Sequence, residues 1–190
     1  HWQKCALGLV AVLGLAGFGF FLLRPVSFFS GPPAPPGAVE SRDGFFEQQQ
    51  AIAGFRRYQN LLFKFRLQIP EELSLREVSE GNTSTLAFED AESGRGFQIF
   101  VVPYEGSEVS QERFNMDVPS GVIEEPTDIL VDGVSAKAFF SENISLGKTR
   151  EVWFIYPEPS RGVQSFLFEV TTYRELDPWL SQILSTWRFL

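Results

Sequence analysis

FKFRLQIP, residues 63–70, decides the fold class. Phe63, Phe65, Leu67 and Ile69 alternate with Lys64, Arg66 and Gln68. A period of two is that of a strand with one face buried. Pro70 lacks the N–H needed to continue the ladder and ends the run. The same period recurs downstream. Thr83–Glu89 and Gly96–Val102 read as strands joined by the polar turn DAESGR (Asp90–Arg95). Ile129–Val131 and Val134–Phe140 flank Asp132-Gly133, a two-residue hairpin signal. Glu151–Tyr156 and Ser165–Thr172 are strands separated by the turn segment PEPSRG.

Helical periodicity is confined to two places in this half. Val109–Met116 predicts a short helix, closed by Pro119 and Gly121. Leu176–Trp187 predicts the terminal helix. Asp177 can cap it, Pro178 suits the first turn, and Leu180, Ile183, Leu184 and Trp187 share one face. Antiparallel strands with segregated helices predict an α+β domain. No internal repeat is visible.

Upstream the character changes. Cys5–Leu23 is an unbroken apolar run, CALGLVAVLGLAGFGFFLL, between Lys4 and Arg24. About 20 apolar residues suffice to cross a bilayer core as a helix. The run exceeds the core of a cleavable signal peptide. Cys5 precedes the run, whereas a lipoprotein cysteine follows one. Pro25 and the Pro-rich stretch isolate it from any surrounding core. The expectation is an uncleaved single-pass anchor at 1–24, with the large acidic C-terminal portion outside the cytoplasm. Residues 25–57 are expected to form a spacer and lead-in. SGPPAPPGAVES (Ser30–Ser41) is semi-extended, and Asp43–Arg57 has partial helical character. Residues 58–190 are then the soluble α+β domain.

Three segments of that domain resemble the PsbP/Mog1-like superfamily. The first is Y-x-N-x-x-F-x-F-x-x-x-I-P, carried by Tyr58, Asn60, Phe63, Phe65, Ile69 and Pro70. The second is V-D-G-V-x-A, carried by Val131, Asp132, Gly133, Val134 and Ala136. The third is I-L-x-T-W-x-F, carried by Ile183, Leu184, Thr186, Trp187 and Phe189. The resemblance implies an antiparallel sheet flanked by helices, an α/β/α sandwich. It also implies action by binding, since known members serve in photosystem assembly or as partners of a small GTPase. It does not transfer a photosystem role.

Charge is unevenly spread. Residues 1–57 hold five Lys/Arg against three Asp/Glu, and residues 58–190 hold eleven against twenty-one. The domain is acidic, so nucleic acid is not expected as a partner, and neither is an anionic headgroup surface. A basic protein is a compatible partner. Cys5 is the only cysteine and His1 the only histidine. Residues 58–190 therefore lack a thiol nucleophile, Ser-His-Asp chemistry and the commonest transition-metal ligand. No Gly-rich phosphate loop follows a strand, and no cofactor or metal is expected.

Carboxylates remain. Glu89, Asp90 and Glu92 gather in one turn, and Glu124, Glu125 and Asp128 in another. Paired acids can hydrolyse glycosides or bind calcium, but neither cluster has EF-hand spacing. Trp179, at the start of the last helix, is expected to stay partly exposed. These seven residues are the candidate partner surface. The functional expectation is a membrane-tethered, non-enzymatic binding or assembly-support domain. The membrane is engaged through residues 5–23, and a protein partner is expected. The alternatives are a carboxylate-dependent envelope hydrolase and a structural subunit of a larger membrane complex.

Overall fold

The computed structural model describes residues 51–118, 120–143, 146–157 and 164–190. The chain enters through β1 (Phe55–Asn60), turns at Leu61–Lys64, and returns in β2 (Phe65–Pro70). Next come β3 (Ser74–Glu80) and β4 (Thr83–Glu89), joined by Gly81-Asn82. Gly81 has φ of 59°, the first-position conformation of a II′ hairpin turn. β5 (Gly96–Tyr104) leads to the short helix α1 (Gln111–Asp117), whose N-cap Ser110 accepts from Arg113 N. β6 (Glu124–Val131) and β7 (Val134–Asn143) follow. Asp132 and Gly133 between them have φ of 48° and 81°, as a I′ turn requires. β8 (Gly147–Tyr156) and β9 (Ser165–Tyr173) run into a 3₁₀ turn, Arg174–Leu176. The chain closes with α2 (Asp177–Ser185) and β10 (Arg188–Phe189).

The strands form two antiparallel sheets. The larger has the order β3-β4-β5-β9-β8-β7-β6, and the smaller β1-β2-β10. The core lies between them. Phe65, Leu67 and Ile69 of β2 face Leu86, Phe97, Ile99, Phe154 and Phe168 of the large sheet. Leu180, Ile183 and Leu184 of α2 complete the layer. Trp187 sits at its centre, stacked on Phe65 at 4.3 Å and edge-on to Phe154 and Phe168 at 5.2 and 5.8 Å. Thr186 joins α2 to β2, its hydroxyl accepting from Gln68 N at 2.8 Å.

The architecture corrects the sequence expectation. The described residues are mostly antiparallel β, and an antiparallel sheet flanked by helices is not what they form. The layer over the large sheet is chiefly the three-stranded sheet, with α2 as a nine-residue addition. α1 has seven residues, none of them buried. Three strands, β1, β3 and β10, account for the difference. β3 has every residue exposed, so no burial pattern marks it. β1 begins at Phe55, inside the expected lead-in, because its ladder with β2 pairs Phe55 with Pro70. The expected transmembrane helix was the other part of that class. Among the described residues no helix is long and apolar enough to cross a membrane. The apolar run at 5–23 lies outside the described residues, as does the Pro-rich stretch.

Candidate functional site

Glu89 and Glu124, one from each sequence-predicted acid cluster, lie toward one end of the large sheet, whereas Asp128 lies mid-sheet, in the row that runs through Lys137, Trp153 and Glu169. The register row Phe88–Phe97–Thr172–Arg150–Phe140–Glu124 runs from the flank of one cluster to the flank of the other. In the first cluster, Asp90 organises its own turn. Its carboxylate accepts from Glu92 N at 3.0 Å and Ser93 N at 3.3 Å, and from the Ser93 hydroxyl. The Ser93 hydroxyl is the main reason its carboxyl is held below the usual range. Glu89 pairs with Arg76 at 3.6 Å, and Glu92 is exposed. Arg95 closes the turn, reaching Glu72 at 3.1 Å while its guanidinium lies 6.0 Å from the Trp179 ring centroid. Trp179 is half-buried and meets Phe97 edge-on at 5.9 Å. The turn and Trp179 are thus brought together through Arg95.

In the second cluster, each acid is ion-paired within the chain. Arg174 reaches Glu124 at 2.8 Å and Glu125 at 3.1 Å, and Lys148 lies 3.9 Å from Glu124. Asp128 pairs with Lys137 at 2.6 Å across the β6–β7 ladder. The Arg174 and Arg150 guanidiniums lie 4.2 and 4.7 Å from the Phe140 ring centroid, and Arg150 reaches Asp177 at 2.9 Å. This network ties the edge strand β6 to the base of α2.

Sequence reasoning missed a third group of acids, on the large-sheet face that carries α1. Phe139, Trp153, Ile155 and Leu167 form a small second core there, and Phe114 of α1 stacks on Trp153 at 4.9 Å. Beside it lie Glu151 and Glu169, 8% and 7% exposed. Glu151 stands opposite Thr171, and Glu169 opposite Trp153. The two acids are diagonal neighbours on adjacent strands, a relation that sets Cα atoms about 7–8 Å apart. Thr171 and Thr149 hydroxyls donate to Glu151 at 2.6 and 2.8 Å, and Trp153 Nε1 donates at 3.3 Å. Burial nevertheless dominates and pushes its carboxyl up to about 7.

Glu169 is reached from α1. Arg113 donates to it through Nη2 at 3.0 Å and Nε at 3.3 Å, and also pairs with Asp117 one turn on. Two carboxyls therefore share one guanidinium in a half-buried site. Burial raises both above the usual range. The Asp117 charge raises Glu169 further, while Arg113 opposes the rise in each. A proton held between them leaves the group neutral with Arg113. The arrangement pins α1 to the sheet. A small depression lined by Gly96, Leu146, Thr171, Thr172 and Tyr173 reaches Thr171, the residue that donates to Glu151. Among the described residues no group of three or more His, Cys, Asp or Glu is placed to hold a metal ion.

The fold has known counterparts. No family model matches the chain, and no curated protein matches it. Among solved structures, cyanobacterial PsbP from Synechocystis sp. PCC 6803 aligns with a TM-score of 0.50 at 12% identity, over 77% of this chain and 98% of that one. A protein of Bacteroides thetaiotaomicron aligns at 12% identity with a TM-score of 0.45, over 72% of this chain. The chain spans about half of that protein's length, 49%. The domain has a PsbP-like fold. At this identity the likeness is one of fold alone.

Proposed function

We propose that the chain is a membrane-tethered, non-enzymatic binding or assembly-support protein. Residues 1–24 are the anchor, 25–57 the spacer and lead-in, and 58–190 the binding domain, carried outside the cytoplasm. The observation that carries this reading is the state of the perturbed acids. Glu151, Glu169 and Asp117 have the shifted proton affinities expected of catalytic groups. Their hydrogen bonds and ion pairs are spent on Thr149, Thr171, Trp153 and Arg113. Glu169 is reached from α1, Asp117 lies within it, and Glu151 is enclosed by its strand neighbours, so the acids do not face each other across a cleft. The PsbP-like fold supports the same reading, because known members of the superfamily act by binding. The partner surface is the sheet end that carries Trp179 with Glu89, Asp90 and Glu92 on one flank and Glu124 and Glu125 on the other, extended along the β6 edge to Asp128.

The test is cross-linking of the full chain in its native membrane, with a photoreactive group at Glu92. Trp179→Ala serves as the comparison. A discrete partner band that weakens in Trp179→Ala is expected. No adduct at Glu92, together with loss of a hydrolytic activity in Glu169→Gln, would overturn the proposal.

A further inference from the structure

The acidic balance of the domain conceals a basic face. In the three-stranded sheet, Gln59 pairs with Arg66, which pairs with Arg188, and Arg57 pairs with Gln68. Partners in an antiparallel ladder point to the same side, and residues two apart on a strand share it. Phe65, Leu67 and Ile69 take the opposite side, toward the core. The outward positions of this sheet thus hold three guanidiniums and the Gln59 amide, with no carboxylate among the four, while Gln68 is 3% exposed and accepts from Ile52 N at 2.9 Å. Arg66 and Arg188 stand directly opposite each other. Asp132 approaches Arg188 from the β6–β7 turn at 3.7 Å. Arg57 and Lys64 are exposed and make no ion pair among the described residues.

Apolar side chains border this face. The β1–β2 turn exposes Leu61 and Leu62 at 65% and 70%, next to Lys64. Leu190 is 45% exposed and bonds through its N–H to Lys64 O at 2.9 Å. Basic residues beside exposed leucines form the composition of a surface that seats on headgroups and dips into the acyl boundary. A polyanion such as RNA would use the guanidiniums but give the leucines nothing apolar to enter.

We infer that the outer face of the three-stranded sheet docks the domain onto an anionic lipid surface, with Arg57, Lys64 and Arg188 on the headgroups and Leu61 and Leu62 inserted. This reverses the expectation drawn from net charge. The placement of charge decides, because screening confines each interaction to about 8 Å at physiological salt. The inference rests on the proposed tether for presenting the face, since β1 is the first strand after the spacer.

The test uses the full chain carrying Cys5→Ser and Leu62→Cys, the latter labelled with an environment-sensitive dye. The chain is reconstituted in vesicles of phosphatidylcholine alone or with phosphatidylglycerol. Strong quenching by spin-labelled lipid is expected only in the anionic vesicles. It should be lost in high salt and fall to the neutral-vesicle level in Arg57→Glu/Lys64→Glu. Arg57→Gln/Lys64→Gln repeats the comparison if the reversal impairs folding, and the salt titration needs no variant. Equal quenching in both vesicle types overturns the inference, as does a dye response to dissolved RNA or heparin without one to vesicles. The tether is scored separately. A chain that does not float with neutral vesicles removes the tether, and salt-sensitive flotation with anionic vesicles alone still supports docking.

Discussion

The two faces of the seven-stranded sheet are built on opposite terms. One is dry and aromatic. Phe65, Phe154, Phe168 and Trp187 pack on each other there, with Trp187 fully buried. The other begins as a core, with Phe139 and Trp153, and then gives way to Glu151 and Glu169. The first face gains chiefly from apolar area, which does not depend on pH, and its buried polar groups, Trp187 Nε1 and the Thr186–Gln68 hydrogen bond, do not titrate in this range. The second buries groups whose charge opposes burial, so its contribution changes with protonation. A sheet can therefore carry a pH-independent core on one side and a pH-dependent layer on the other.

The largest effect separating the faces should come from the dry one. Trp187→Ala is expected to cost about 3–5 kcal/mol, and Leu184→Ala about 2–5 kcal/mol, equally at pH 5 and pH 8. Urea unfolding at both values measures this. A cost that differs between them would mean that the core face is coupled to the acids.

The second effect belongs to Glu151. Its folded value is about 7 against an ordinary 4.5. The folded state binds the proton more tightly, so its contribution is fully present below about 4.5 and is lost as pH rises through about 7. The difference corresponds to about 3 kcal/mol between pH 4.5 and pH 8. Glu169 and Asp117 shift in the same direction and add to the trend. Stability should therefore rise on mild acidification. Glu151→Gln should flatten this dependence and be at least as stable as wild type at pH 8. A wild-type stability that falls from pH 7 to pH 5 would contradict the account.

Arg113 is next. Removing it leaves Glu169 and Asp117 facing each other, so Arg113→Met is expected to cost about 1–3 kcal/mol at pH 8. The loss should shrink at pH 5 and in the Arg113→Met/Glu169→Gln double variant. Additive losses would show that Arg113 acts elsewhere. The smallest effect is Arg174→Ala. Its pairs with Glu124 and Glu125 are partly exposed, which predicts a cost of about 1 kcal/mol or less, further reduced by salt.

Much of the fold was legible. The Asp132-Gly133 turn holds, the alternation holds over Phe65–Leu67 but breaks at the buried Gln68, and Leu180, Ile183, Leu184 and Trp187 are all buried although Trp187 lies beyond the end of α2. β3 was not legible, because SLREVSE is exposed throughout and has no burial period to show. Gly81-Asn82, a hairpin pair, was the available sign. The helix-flanked sandwich failed because β1 and β10 are strands only through their ladders with β2, which FRRYQN and RF do not announce. At the site, the Asp90 turn is local and could be read. The Glu124 and Glu125 pairs with Arg174 span 50 and 49 residues and could not. Taken singly, Glu151 and Glu169 carry no local signature that sets them apart from surface acids. Neighbouring strands enclose both, and Arg113 of α1 reaches Glu169. The available hint was an isolated acid amid EVWFIY and SFLFEV, where both strand faces are apolar.

The central claim is that the acids on the second face hold their protons as part of the fold. Carboxyl-carbon NMR titration of the full chain in nanodiscs tests it most directly, with Glu151→Gln to assign the signal. One glutamate resonance titrating near pH 7, absent in the variant, is the predicted result. Glutamate resonances that all titrate within the ordinary range of about 4–5 would contradict it.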